Sequence, residues 1–88
     1  MIRRRVEVVN PLGLHARAAA EFVKVASRFK SDISVTRGPQ TMDGKSILGI
    51  LLLAAARGTA IDISADGADE ADAVAALCRL TEQGFEGG

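Results

Sequence analysis

Val6-Glu7-Val8-Val9-Asn10-Pro11-Leu12-Gly13-Leu14-His15-Ala16-Arg17 is the stretch that decides the fold, because the spacing of apolar residues changes within it. Upstream, Ile2, Val6 and Val8 share one side of an alternating pattern and Arg3, Arg5 and Glu7 the other, which predicts a half-buried strand over Ile2–Val9. Arg4 falls on the inward register, where its long stem can reach back to water from a strand end. Asn10-Pro11-Leu12-Gly13 then breaks the alternation with turn chemistry. From about Ala16 the period becomes helical. Ala19, Phe22, Val23, Ala26 and Phe29 form one stripe, while Arg17, Glu21, Lys24 and Arg28 lie elsewhere on the wheel. Arg17 and Glu21 have the spacing of a helix-surface ion pair.

The same reading extends outward. Asp32–Arg37 alternates with Ile33 and Val35 inward and stops at Gly38-Pro39; Gln40–Met42 is a weaker strand closed by Asp43-Gly44. Ser46–Ala55 predicts a short apolar helix opening at Ser46, with Ile50, Leu53 and Ala54 as its inward stripe. Ala60–Ala65 is a strand with Ile61 and Ile63 inward and Asp62 and Ser64 outward. Asp69, Glu70 and Asp72 open a last helix at its positive end, where negative charge is favoured. Val74, Leu77, Cys78 and Thr81 continue one face of it, and Gly84–Gly88 is expected to fray. The order β-α-β-β-α-β-α implies an α+β open-faced sandwich: a four-stranded antiparallel sheet with three helices on one face. With 88 residues, one domain spans 1–88.

Composition closes several functional classes. Eleven Lys and Arg balance eleven Asp and Glu, and the chain has no Trp or Tyr. It therefore lacks both the basic footprint of a nonspecific nucleic-acid binder and the aromatic platforms that stack single-stranded bases. The single histidine, His15, cannot build a multi-histidine metal site, and the single cysteine, Cys78, reads as a buried small hydrophobe. No metal and no cofactor are expected. The N-terminus has no signal-peptide pattern and no apolar run reaches a bilayer's width, so the expected setting is the cytoplasm without membrane insertion. Along the chain the charge is uneven, with basic excess in residues 1–44 and acidic excess in 45–88. That unevenness predicts a polarised surface.

Chemistry concentrates at His15. At the start of a helix, free N–H groups of the first turn can grip an anion. The dipole's positive end disfavours an imidazolium, so His15 is expected neutral and nucleophilic near pH 7. Arg17 can aim a planar guanidinium at the same anion. A neutral ring nitrogen, an anion cradle and an arginine suit accepting and donating a phosphoryl group. The spacing alone fits equally a histidine that caps its helix beside a solvated arginine. No general base and no metal-binding carboxylates accompany the site, so a partner must supply most of any phosphate chemistry.

The segment Gly13-Leu14-His15-Ala16-Arg17-Ala18-Ala19 resembles the phosphohistidine motif of HPr, the phosphocarrier of the bacterial phosphoenolpyruvate-dependent phosphotransferase system. The length, the element order, Asp43-Gly44-Lys45-Ser46 and the apolar helix after it extend that resemblance over essentially the whole chain. It implies that Enzyme I phosphorylates His15 on Nδ1, that Arg17 holds the phosphoryl oxygens, and that an Enzyme IIA protein accepts the group. The chain would then be a carrier whose turnover needs partner enzymes, not an enzyme itself, and a monomer. The family commonly has Pro after the arginine; this chain has Ala18. The change is expected to leave phosphotransfer possible, and of the two branches, sugar uptake and a nitrogen-type regulatory relay, it points toward the regulatory one.

Ser46 reads from sequence as a helix N-cap. The resemblance implies in addition a regulatory phosphosite for an HPr kinase/phosphorylase. Ile47, Leu48, Leu51 and Leu52 exceed what one helix face needs for a core and predict an exposed apolar docking patch, for which Lys24, Arg28 and Lys45 would form a basic rim. The reading from a different class is a non-phosphorylated α+β interaction module with His15 and Arg17 as surface residues.

Overall fold

A computed structural model describes residues 1–87, with side chains through Phe85. The elements are β1 (Ile2–Glu7), α1 (Ala16–Ala26), β2 (Asp32–Arg37), β3 (Gln40–Asp43), α2 (Ile47–Leu52), β4 (Ala60–Asp66), α3 (Glu70–Glu82) and a single turn, α4 (Gly84–Gly87). The strands form one antiparallel sheet in the order β1-β4-β2-β3. Register explains its two faces. Val6 stands opposite Ile61, while Val35 stands opposite Ile63 and Met42, so the apolar half of each alternation meets on one side. Onto that side pack Ala18, Ala19, Phe22 and Ala26 of α1, Ile50 of α2, and Ala73, Val74, Leu77 and Cys78 of α3. The small alanines let the helix axes approach the sheet closely. The expected architecture, an open sheet with three helices on one face, is the one observed.

The uncovered face changes the reading of charge. Arg5 stands directly across from Asp62, and Arg3 reaches the same carboxylate: Arg3 Nη2 lies 3.0 Å from one oxygen and Arg5 Nε 3.1 Å from the other. Hydrogen bonds from Arg5 and then Arg3 hold the Asp62 carboxyl below its ordinary range. The N-terminal ammonium pairs with Glu70 at 3.2 Å. The basic start of the chain is thus zipped against its acidic end. Because β1 and β4 are neighbours, Arg3 and Arg5 of the basic half of the sequence meet Asp62 of the acidic half.

Other departures are local. β1 ends at Glu7 and not Val9; Val8 continues with irregular bonds to Thr59 and Gly58. Phe29 lies beyond the end of α1, which is capped at Ser27. α2 stops at Leu52, and Ala54, expected inward, is exposed with φ +49. The reason is tertiary: Arg37 Nη1 of β2 donates to the Leu53 carbonyl at 3.0 Å and closes the helix end there. Asp69 stands at the N-cap of α3 but its side chain turns away. It accepts from the Lys30 N–H at 2.8 Å and from the Ser31 N–H and hydroxyl, pinning α3 to the start of β2. Those bonds, the Ser31 hydroxyl first, lower its carboxyl to about 2. Gly84–Gly87 does not fray; it makes a turn in which Phe85 is buried. Gly88 lies outside the described residues.

Candidate functional site

The site begins with the loop between β1 and α1. Asn10, buried, grips it from both groups: its Nδ2 donates to the Gly13 carbonyl at 2.7 Å and its own carbonyl accepts from the Gly13 N–H at 3.1 Å. Gly13 is required at its position. Its φ is +66, and a Cβ there would lie 2.5 Å from the Ala55 carbonyl oxygen and 2.9 Å from Ala56 Cα. That close approach allows the Leu14 N–H to donate to the Ala55 carbonyl at 2.9 Å, locking the loop to the segment after α2.

His15 then has extended backbone, φ −76 and ψ 178, and caps α1. Its carbonyl accepts from the Ala19 N–H at 2.8 Å, and its Nδ1 accepts from the Arg17 N–H at 3.3 Å. An accepting Nδ1 puts the ring proton on Nε2. Nε2 is buried and has no hydrogen-bond partner among the described residues. The lone pair of Nδ1 therefore faces the first turn of α1, where the N–H groups of Ala16 and Ala18 also lack intrahelical acceptors. An anion bonded at Nδ1 would meet that row of donors at the positive end of the helix.

Arg17 is exposed, and its guanidinium has no ion pair or hydrogen bond among the described residues. The expected Arg17–Glu21 pair is not formed; the two side chains instead flank a cavity with Leu80 and Phe85. A free guanidinium two residues from the ring is available to an anion. Ala18 is fully buried against the core, so its methyl serves packing.

Ser46 caps α2, its hydroxyl accepting from the Gly49 N–H at 3.1 Å. It does not adjoin His15. Lys45 Nζ donates to the carbonyl of Phe29, just past the C-terminal end of α1, while Ala55, after α2, binds Leu14 at the N-terminal end. The two helices therefore run antiparallel, and His15 and Ser46 stand at opposite ends, separated by roughly the 16 Å length of an eleven-residue helix. Between them Ile47, Leu48 and Leu52 are 45%, 66% and 55% exposed. Leu51 differs from its expected place: it is half-buried and packs on the core. Lys24 is exposed, as is Arg28, but Lys45 is committed to Phe29 and is not a free rim charge.

Leu12 escaped the sequence reading. It is 72% exposed in the Asn10–Gly13 loop that leads to His15, an exposed large apolar side chain outside α2. A turn gives no periodic face, so the one signal was an apolar residue inside Asn-Pro-x-Gly. Among the described residues no three His, Cys, Asp or Glu side chains cluster as metal ligands would.

Comparison with known proteins decides the family. A family model described as "PTS HPr component phosphorylation site" matches residues 2–83. The chain belongs to the HPr family. HPr of Neisseria meningitidis serogroup A is 50% identical over 80 residues, covering 91% of this chain and 90% of that protein. A solved HPr from Thermoanaerobacter tengcongensis superposes with a TM-score of 0.94 at 42% identity, covering 98% of this chain and 97% of that one. A dimer of HPr from the same organism matches at TM-score 0.77 and 42% identity, covering 97% and 98%. HPr proteins are phosphocarriers of the phosphotransferase system, and membership implies partners from that system. No helix among the described residues of this HPr is long and apolar enough to cross a membrane.

Proposed function

We propose that this HPr accepts a phosphoryl group from phosphorylated Enzyme I on Nδ1 of His15 and passes it to an Enzyme IIA protein. The observation that carries the reading is the Nδ1 lone pair, held at 3.3 Å from the Arg17 N–H and aimed into the start of α1. In the first transfer that lone pair attacks phosphorus. The N–P bond forms as the bond from phosphorus to Enzyme I breaks, its electron pair returning to the donor. The phosphoryl oxygens then take the N–H groups of the first turn and the free Arg17 guanidinium in place of the ring nitrogen. In the second transfer the N–P bond breaks as the Enzyme IIA acceptor bonds to phosphorus, and Nδ1 regains its lone pair. The chain supplies a nucleophile and an anion cradle; the partners supply the rest, so it turns over only in their company.

Docking is assigned to Ile47, Leu48 and Leu52 with the exposed edge of Leu51 and with Leu12, bordered by Lys24 and Arg28. A phosphate on Ser46, placed there by an HPr kinase/phosphorylase, adds about two negative charges at the far end of that strip. It would act on docking and leave the geometry of His15 alone. The carrier works as a monomer in the cytoplasm on this reading.

The experiment is phosphotransfer from phosphoenolpyruvate through cognate Enzyme I, read by intact mass. One acid-labile, base-stable phosphate is expected on the wild type and none on His15→Ala. Unchanged mass in the wild type would favour the plain interaction module. Presenting the phosphorylated protein to Enzyme IIA of the sugar and of the nitrogen-type systems separates the two branches.

A further inference from the structure

Phe85 lies beyond residue 83, where the family match ends. Its φ is +54, a conformation that a bulky residue keeps only where its surroundings impose it. The ring is 4% exposed and belongs to the core. It borders a cavity of about 150 Å³ whose other walls are Arg17, Glu21 and Leu80. The turn that bears it rests on the loop leading to His15: a Cβ on Gly84 would lie 3.6 Å from Asn10 Cβ and 3.6 Å from Val9 Cγ2. Asn10 in turn holds Gly13 by two hydrogen bonds, and the Gly13 carbonyl accepts from the His15 N–H at 2.9 Å.

We propose that Phe85 is a positioning residue for phosphoryl acceptance, wedging the C-terminal turn between Arg17 and the Asn10–Gly13 loop so that guanidinium and imidazole face one anion. This rests on the phosphocarrier reading. The buried ring fixes where Gly84 sits, Gly84 backs Asn10, and Asn10 sets the loop that delivers His15. On its other side the ring walls the space beside Arg17, limiting the directions open to a side chain that has no partner among the described residues. Phosphoryl transfer depends steeply on such alignment, since a shift of about 1 Å can cost about a hundredfold.

The test compares wild type, Phe85→Ala, Phe85→Leu and Gly84→Ala as acceptors from phosphorylated Enzyme I, with kcat and KM separated. Thermal unfolding and the amide NMR shifts of Gly13 and Arg17 are recorded alongside. Phe85→Ala is expected to lower kcat about fivefold or more with a smaller rise in KM, because Ile47, Leu48 and Leu52 of the docking surface are untouched and only Leu12 moves with its loop. Its Gly13 and Arg17 amides should shift, and Phe85→Leu, which keeps an apolar wedge, should restore both. A folded Phe85→Ala protein with wild-type kcat overturns the proposal. If Phe85→Ala does not fold, wild-type kcat in Gly84→Ala overturns it instead. A wild-type protein that takes no phosphate sinks the phosphocarrier reading, and unmoved Gly13 and Arg17 amides in the variants would then refute the positioning role separately.

Discussion

Replacing Gly13 by alanine tests how the site is built. The φ of +66 costs an L-residue about 1–2 kcal/mol, of which about 0.4–1 returns through the stiffer unfolded chain. Conformation alone therefore costs about 0.5–1 kcal/mol. Space adds more. The new Cβ would lie 2.5 Å from the Ala55 oxygen and 2.9 Å from Ala56 Cα, both backbone atoms that no side-chain rotation can clear. Relieving the overlap must stretch the Leu14–Ala55 and Asn10–Gly13 hydrogen bonds, worth about 1 kcal/mol each. The total is about 2–3 kcal/mol, or a fall in Tm of about 10–20 °C for a domain this size. Gly38→Ala is the control, since Gly38 has φ +57 and no atom within 4 Å of its added Cβ. It should lose only the conformational part, about 0.5–1 kcal/mol. Urea unfolding of both variants gives the difference, and phosphoryl acceptance in Gly13→Ala should fall about tenfold or more as His15 shifts. Equal destabilisation of the two variants would refute the close-approach argument.

Three further outcomes follow from particular contacts. Ala54→Gly relieves φ +49 at the end of α2 and should stabilise the fold by about 0.5–1 kcal/mol in urea unfolding. Asp69 has its folded value lowered from 3.8 to about 2, so the stability it contributes is present above about 4 and is lost as pH falls through 2. Asp69→Asn should therefore be less stable at neutral pH and lose less between pH 4 and 2 in acid unfolding, since Asp62 titrates in the same direction in both proteins. Ser46→Asp keeps a competent N-cap, so its stability should stay within about 0.5 kcal/mol. Its KM for Enzyme I should rise about threefold to tenfold with kcat unchanged, because the new charge sits at the far end of the strip from His15.

Alternation in Ile2–Glu7, Asp32–Arg37 and Ala60–Asp66, and the stripe of Ala19, Phe22 and Ala26, made the elements legible because each pattern must bury one face. The strand order was not written there. β4 lies between β1 and β2 although it follows both, and that placement brings Arg3 and Arg5 onto Asp62. The end of α2 was illegible for a similar reason: Arg37, ten residues before the helix, closes it, and Ala54 occupies a position where glycine would have announced a cap. Glycines around Phe85 suggested fraying, yet burial of one ring holds the turn. His15 and Arg17 could be picked out from their place at a helix start. That Ser46 stands at the opposite end of the apolar strip depended on the antiparallel packing of α1 and α2, which no local pattern encodes.

The central claim is that Nδ1 of His15 is the atom that carries phosphate. Nitrogen-15 NMR of the imidazole after phosphotransfer from Enzyme I tests it directly. Phosphorus coupled to Nδ1, with Nε2 uncoupled and the Arg17 amide shifted, is the result expected from the 3.3 Å contact. Phosphate on Nε2, or on any residue other than His15, would contradict the account.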